Sequence, residues 1–365
     1  MKILIIGNYG AGNIGDEMIL KGLLAFLNKS LVSPQITVMS GNPEETKKNH
    51  KVYSVLKFPA GFNSVINFLI SFGNETKRAI KDCDFVIMGG GNLFGGPENR
   101  ANFIWGVQGL FVKFYKKTLF IMGQSIGENK SILSRYFLKK IFNYASFISL
   151  RDRESINLLN ELQIQKNIFL QPDFAFCSKT IQKEKNKTIA VSLRNSKKLD
   201  TKAILSIIEF LNFQVEKNGY KIDLLNFQQG TAGEEKINKE IFNKIQKKDF
   251  IKMYNNLTDT SESLEIIARS EILIGMRLHS IISAIKTNTP FLALDYAPKI
   301  WNLLKSLGLE NQFIKDKSAE NLKQLFHKTV TNYKSISEKL KNLNFQFNDD
   351  FETLEKRFTR AINSN

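Results

Sequence analysis

A chain of 365 residues with 42% hydrophobic and 24% charged residues has the make-up of a globular protein long enough for two domains, which excludes disordered, collagen-like and low-complexity classes. The 52 Lys and Arg exceed the 35 Asp and Glu for a net charge of +17, yet 42 of them are Lys, scattered among acids, and only 10 are Arg. That pattern speaks against nucleic acid and for solvated lysine-rich faces, with attraction to an anionic membrane surface as the second reading. Two cysteines, Cys83 and Cys177, make no disulfide framework or metal-type spacing, so no metal is expected. With no signal-peptide core and no apolar run of about 18 residues, a cytoplasmic location is expected, peripheral to the inner membrane face at most.

Along the chain, KILIIG (2–7) predicts a buried strand, followed by a glycine loop and a helix over 16–29. QITVMSG (35–41), DFVIMGG (84–90) and TLFIMGQ (118–124) are further strands, each short, apolar and closed by a polar or glycine tip. FISLRD (147–152) precedes a helix over 153–162, and NIFLQPD (167–173) ends the series. The charged, aperiodic stretch 178–188 reads as a linker. The rhythm restarts with IAVSLRN (189–195), a helix over 200–218, KIDLLNFQ (221–228), FIKMYNN (250–256), EILIGMR (271–277) and PFLALDY (290–296), and a last helix spans 334–362. Strands alternating with helices predict parallel α/β sheets. The expected architecture is two Rossmann-like doubly wound domains, 1–178 and 188–333, facing a cleft, with a helical segment 334–365. Ligands in such folds bind beyond the carboxyl ends of the strands.

Three tips carry residues with chemistry. The first loop holds Gly10, Gly12 and Gly15 in a G-x-G-x-x-G spacing with Asn13 and Asp16. The next strand ends without the acid a dinucleotide ribose needs. A polar-ligand loop facing a hydroxylated substrate and a purely structural turn both stay open. The second, GGGNLFGG (89–96), brings Gly90, Gly91 and Asn92, whose backbone could approach a ligand closely or serve as a connection; Gln124 ends the neighbouring strand.

The sharpest constellation is Gly275-Met276-Arg277-Leu278-His279-Ser280. A strand tip leading into a helix start offers free N–H groups and a positive dipole end. Arg277 with His279 there suits an anion bearing phosphate and carboxylate, the plainer reading being a capping histidine beside a salt-bridged arginine. Asp295-Tyr296-Ala297-Pro298-Lys299 closes the next strand and brings Tyr296 and Lys299 toward the same place. Arg151, which Asp152 could pair with, and Arg194 are further candidate anion contacts. His50 and His327 sit in Lys-rich, exposed-looking contexts.

GNYGAGNIGDE, MGGGNLFGG, SLRDRES, QPDFAF and, above all, GMRLHS followed by DYAPK fall in an order, over residues 7–299, that resembles the polysaccharide pyruvyl transferase family. The resemblance implies a GT-B-like fold and transfer of pyruvate from phosphoenolpyruvate to a sugar of a cell-surface or capsular glycan, or its lipid-linked precursor, as a ketal, with release of phosphate. It implies that Arg277, Leu278 and His279 hold phosphoenolpyruvate, that Arg151 and Lys299 add anion contacts, and that the first loop faces the acceptor. Phosphoenolpyruvate is then the donor substrate and no cofactor is expected. Histidine, whose ordinary pKa lies near neutrality, suits the general acid that protonates the enol carbon. The competing readings are a GT-B glycosyltransferase using a nucleotide sugar, with Glu234 or Glu262 on a ribose diol, and a non-catalytic glycan-binding module.

Overall fold

The computed structural model describes residues 1–58, 73–95, 100–127, 129, 131–230, 232–255 and 257–364. Gly96 of the second glycine run, Asn256 of the FIKMYNN segment and Asn365 lie outside them. The chain divides into two compact units, the first made of Met1–Ala11, Asp16–Ser178 and Phe347–Asn365, the second of Gly12–Gly15 and Lys179–Gln346.

In unit 1 the strands are β1 (Lys2–Ile6), β2 (Gln35–Ser40), β3 (Tyr53–Leu56), β4 (Phe85–Phe94), β5 (Thr118–Ile126), β6 (Phe147–Leu150) and β7 (Ile168–Leu170). They form one sheet of order β3-β2-β1-β4-β5-β6-β7, every pair parallel. Unit 2 holds β8 (Asn186–Ser192), β9 (Lys221–Leu225), β10 (Ile251–Tyr254), β11 (Ser270–Gly275), β12 (Phe291–Leu294) and β13 (Phe313–Ile314). These also pair in parallel, in the order β10-β9-β8-β11-β12-β13. Both sheets therefore reverse their winding once, between β1 and β4 and between β8 and β11. The crevice outside such a reversal is where a doubly wound sheet holds its ligand.

The described helices of the first half are α1 (Ile14–Ser30), α2 (Pro43–His50), α3 (Gly73–Asp82), α4 (Arg100–Phe114), α5 (Ile132–Tyr144) and α6 (Arg153–Glu161). Those of the second half are α7 (Thr201–Asn218), α8 (Ala232–Lys244), α9 (Thr260–Arg269), α10 (Leu278–Lys286), α11 (Pro298–Ser306), α12 (Ala319–Thr331) and α13 (Tyr333–Asn363). The strands read as unbroken apolar runs because helices cover both faces of each sheet. Leu4, Val86, Leu119 and Ile148 thus sit in one core of unit 1, and Ile189, Ile222, Ile272 and Leu292 in that of unit 2. Side-chain caps set the helix starts: Asp152 accepts from the Ser155 amide and Asp200 from that of Ala203, both at 2.8 Å.

Several boundaries differ from the sequence reading. The first helix begins at Ile14, and β8 begins at Asn186, inside the stretch read as linker. The glycine run after DFVIM is not a loop: β4 continues through it to Phe94, with Gly90 and Gly91 at φ of 66° and 87° and a register shift after Gly91. Such a left-handed pair within a strand requires residues without a Cβ. The last helix, read as a segment of its own, is shared, since unit 2 runs to Gln346 and unit 1 takes the helix from Phe347.

Candidate functional site

In unit 2 the switch point is built from the tips of β8, β11 and β12. The Met276 amide donates to the Ser192 carbonyl at 2.7 Å, tying the β11 exit to the end of β8. Arg277 follows, and its carbonyl accepts from the amides of Ser280 and Ile281 at 3.1 and 3.2 Å, which opens α10. The guanidinium of Arg277 pairs with Glu234 of α8, whose side chain is only 2% exposed. The other Glu234 carboxylate oxygen accepts from the amides of Phe227 and Gln228 at 3.0 and 3.2 Å. One buried carboxylate thus fixes both the turn after β9 and the arginine.

At the exit of β12, Tyr296 gathers the remaining cations. The Arg194 guanidinium lies 5.3 Å and the Lys299 ammonium 5.7 Å from its ring centre. Burial opposes ionisation of the Tyr296 phenol, but Lys299, then Arg194 and Arg277, outweigh it and hold the pKa below the ordinary tyrosine value. The phenol therefore registers a field in which Arg194, Arg277 and Lys299 act together. Asp295 is no counterweight within this group, because Lys198 pairs with it at 2.8 Å.

His279 stands half-buried on the first turn of α10. Gly15 packs against its ring so closely that a Cβ there would lie 2.1 Å from the imidazole Nδ1. Gly12–Gly15 are held in unit 2 by backbone: Ile14 donates to Phe227 at 3.0 Å, and Gln229 donates to Gly12 at 2.7 Å. The Asn13 side chain accepts from the Gly15 amide at 3.0 Å. Leu278 is 6% exposed, its side chain buried within unit 2.

Unit 1 presents a different set at its own switch point. Asn8 donates to Asp16 at 2.9 Å, and Glu17 accepts from the Gly10 amide at 2.8 Å and pairs with His50 at 2.7 Å. Burial lowers the pKa of Lys57, against the pull of Asp16 and Glu17. Tyr9 donates to the Gly89 carbonyl at 2.7 Å. Its burial, reinforced by Asp16, Glu17 and Asp173, pushes the phenol pKa well above the ordinary value. Gln124 donates to the Gly90 carbonyl at 3.3 Å, and a Cβ on Gly91 would lie 3.5 Å from an Asp16 carboxylate oxygen. Acids, amides and glycine backbone dominate, a composition that receives hydroxyl groups.

Two sequence-based readings need correction. His50 is not an exposed histidine: its side chain is 4% exposed and paired with Glu17. Arg151 is engaged within unit 1, and its partner is not Asp152. It donates to Ser125 Oγ at 2.6 Å and pairs with buried Asp173, while Asp152 contacts Ser125 and caps α6. Arg277, Arg194, Lys299 and Tyr296 are brought together in unit 2, with Asn13, Gly15 and His279 in the same unit. Gly10, Asp16, Gly90, Gly91 and Gln124 are brought together in unit 1, and Asn92 there is exposed. Sequence reasoning missed the placement of Glu234 beside Arg277. It had considered Glu234 for a ribose diol, a task its buried pairing forecloses, and Glu262 is exposed on the first turn of α9. Arginine beside histidine at a helix start hinted at a buried acid, but no spacing singled out which.

The family model described as polysaccharide pyruvyl transferase matches residues 13–298. The chain belongs to that family. It is also similar to the amylovoran biosynthesis protein AmsJ of Erwinia amylovora, at 24% identity, covering 85% of this chain and 86% of that one. Among solved structures it resembles a glycosyltransferase of Rickettsia africae, with a TM-score of 0.60 at 11% identity, covering 100% of this chain and 99% of that one. It resembles likewise the UDP-GlcNAc 2-epimerase of Neisseria meningitidis, with a TM-score of 0.60 at 12% identity over 99% and 100% of the two chains. These structures establish the GT-B-like fold of this pyruvyl transferase family member. Most of the site residues discussed above fall inside the family match; Asn8, Tyr9, Gly10, Gly12 and Lys299 lie just beyond its ends.

Proposed function

We propose that the protein transfers pyruvate from phosphoenolpyruvate to two hydroxyls of a glycan sugar as a cyclic ketal, releasing phosphate. Family membership supports pyruvyl transfer, and the observation that carries the donor assignment is the convergence of Arg194, Arg277 and Lys299 on Tyr296 in unit 2. Phosphoenolpyruvate is small and densely anionic, so several preorganised cations answer its charge and no further cofactor is called for in this reading.

In the proposed reaction His279 gives a proton to the methylene carbon, which leaves positive charge at the carbon bearing carboxylate and phosphate. A sugar hydroxyl attacks that carbon and loses its proton, and the C–O bond to phosphate breaks. The second hydroxyl then closes the ketal; of the two hydroxyl protons released, one restores His279 and the other leaves with the phosphate. Arg277 and Lys299 stabilise the departing phosphate. The acid and amide groups of unit 1, Asp16 and Gln124 among them, are assigned to the acceptor, a free or lipid-linked glycan.

The deciding experiment follows phosphate release and acceptor mass with phosphoenolpyruvate and a panel of free and lipid-linked glycans. One phosphate per acceptor gaining pyruvate less water is expected. Consumption of a nucleotide sugar with no phosphate from phosphoenolpyruvate would establish instead the glycosyltransferase reading, which the fold alone accommodates. Binding of glycan with neither reaction would establish the non-catalytic module.

A further inference from the structure

Unit 1 exposes a group of large apolar side chains on two adjoining helices. Phe103 of α4 is 47% exposed, and Ile132, Leu133 and Tyr136 of α5 are 88%, 59% and 55% exposed. Phe137 links the helices, its ring 6.0 Å from that of Phe103 and 6.0 Å from that of Tyr136. The helices approach closely: a Cβ on Gly106 would meet the Phe137 ring at 2.9 Å, and one on Gly109 would meet Ile141 at 2.9 Å. The apolar tips stand on this closely packed pair. Isolated exposed apolar residues are ordinary, whereas a contiguous group marks an interaction surface.

Among the described residues the charge on these two helices is one-sided. α5 carries Arg135, Lys139 and Lys140 and no acid, and α4 carries Lys113 and no acid. On α8, by contrast, Glu235 and Glu240 pair with Lys239 and Lys244. Lys140 donates to the Tyr136 hydroxyl at 3.2 Å and lies 5.3 Å from its ring centre. Apolar tips rimmed by cations, with a tyrosine between them, match the boundary of an anionic bilayer, where side chains enter the acyl region and Lys and Arg meet headgroup phosphates. An apolar protein partner would match the tips and leave Arg135, Lys139 and Lys140 without a counterpart. Among the described residues no helix is long and apolar enough to cross a membrane, so contact of this kind is interfacial.

We propose that the first turns of α4 and α5 form a docking face for an anionic lipid surface. Both helices start at the carboxyl ends of β4 and β5, the edge of the sheet that bears Asp16 and Gln124. A glycan carried on a lipid would therefore be brought to the edge where unit 1 presents its polar groups. The docking itself is independent of what the cations of unit 2 bind.

The test is co-sedimentation of the full chain with vesicles of phosphatidylglycerol and phosphatidylcholine, against phosphatidylcholine alone. Wild-type protein is expected to sediment with the anionic vesicles at low salt and to be released as salt rises. Ile132→Asp with Leu133→Asp should lower the binding about tenfold or more, and Lys139→Glu with Lys140→Glu should lower it comparably. Both pairs lie on the surface, and their thermal unfolding should match wild type. Lys217→Glu with Lys221→Glu makes the same change in net charge on exposed positions of unit 2 and should leave binding unchanged. Equal loss in that control would show that total charge acts rather than this face, and would overturn the proposal. So would failure to bind anionic vesicles, or self-association that Ile132→Asp abolishes without any vesicle binding.

Discussion

Tyr9 and Tyr296 both stand at the carboxyl edge of a parallel sheet wound in the same order, and their phenols are pushed in opposite directions. Burial weighs against ionisation of each. At Tyr9 the acids Asp16, Glu17 and Asp173 add to it, whereas at Tyr296 the cations Lys299, Arg194 and Arg277 overcome it. The repeated topology fixes where a site lies, and the side chains at the strand tips decide what it can receive. The strand tips of unit 1 present an acidic field at Tyr9, and those of unit 2 a cationic one at Tyr296.

The sharpest way to break this contrast is His279→Gln. Glutamine keeps some hydrogen bonding but cannot supply a proton, so kcat should fall about 10²–10⁴-fold, the usual contribution of a general acid. The Kd for phosphoenolpyruvate should change little. Steady-state kinetics with calorimetric binding checks both, and near-wild-type kcat would leave His279 a structural residue.

Arg277→Lys comes next. It preserves charge but replaces a planar fork by a point charge beside buried Glu234. A loss of about 2–3 kcal/mol in transition-state stabilisation, read from kcat/KM, is expected. Equality of the Lys and Arg enzymes would mean that charge alone suffices.

Asp16→Asn probes the other unit. If unit 1 receives the acceptor, the acceptor KM should rise about tenfold, on the scale of a charged hydrogen bond, while the donor Kd stays put. A change confined to the donor would reverse the assignment of the two units.

The smallest effect belongs to Tyr296→Phe. The wild-type phenol loses its proton at lower pH than an ordinary tyrosine, placing a negative charge among Arg194, Arg277 and Lys299. Donor KM should therefore climb a few-fold as pH rises through that ionisation, and the variant should not show the climb. Spectrophotometric titration checks the same point without turnover, because the variant lacks the early phenol step.

Most strands were legible because parallel strands covered on both faces read as apolar runs, as in KILII and FVIM, but the short edge strands β3 and β13 were not. α2 was not, since PEETKKNH buries only Thr46 and reads as a solvated stretch. The continuation of β4 through Gly90 and Gly91 was hidden for another reason: a glycine run signals a turn, and only the packing of Ile19 against Gly90, where a Cβ would meet it at 1.9 Å, shows why these glycines lie within a strand. Arg277, His279 and Lys299 were legible as chemistry at strand tips. Their surroundings were not, because Glu234 reaches Arg277, and Asp173 reaches Arg151, across folds of the chain that no local spacing records.

The shared last helix bears on the order in which the chain can be completed. Phe351 stacks on Phe174 at 5.9 Å, Phe347 lies 4.2 Å from Phe176, and Phe358 touches the rings of Phe26, Phe85, Phe120 and Phe147 at 5.5, 6.4, 5.7 and 6.1 Å. Phe358 is fully buried, and a phenylalanine in such a place is worth roughly 3–5 kcal/mol when truncated to alanine. All of these partners belong to unit 1, so unit 1 lacks a wall of its interior until residues 347–358 have joined it. Residues 179–346 precede that segment in the chain, so the main part of the second unit is complete in sequence before the first unit has all of its core residues.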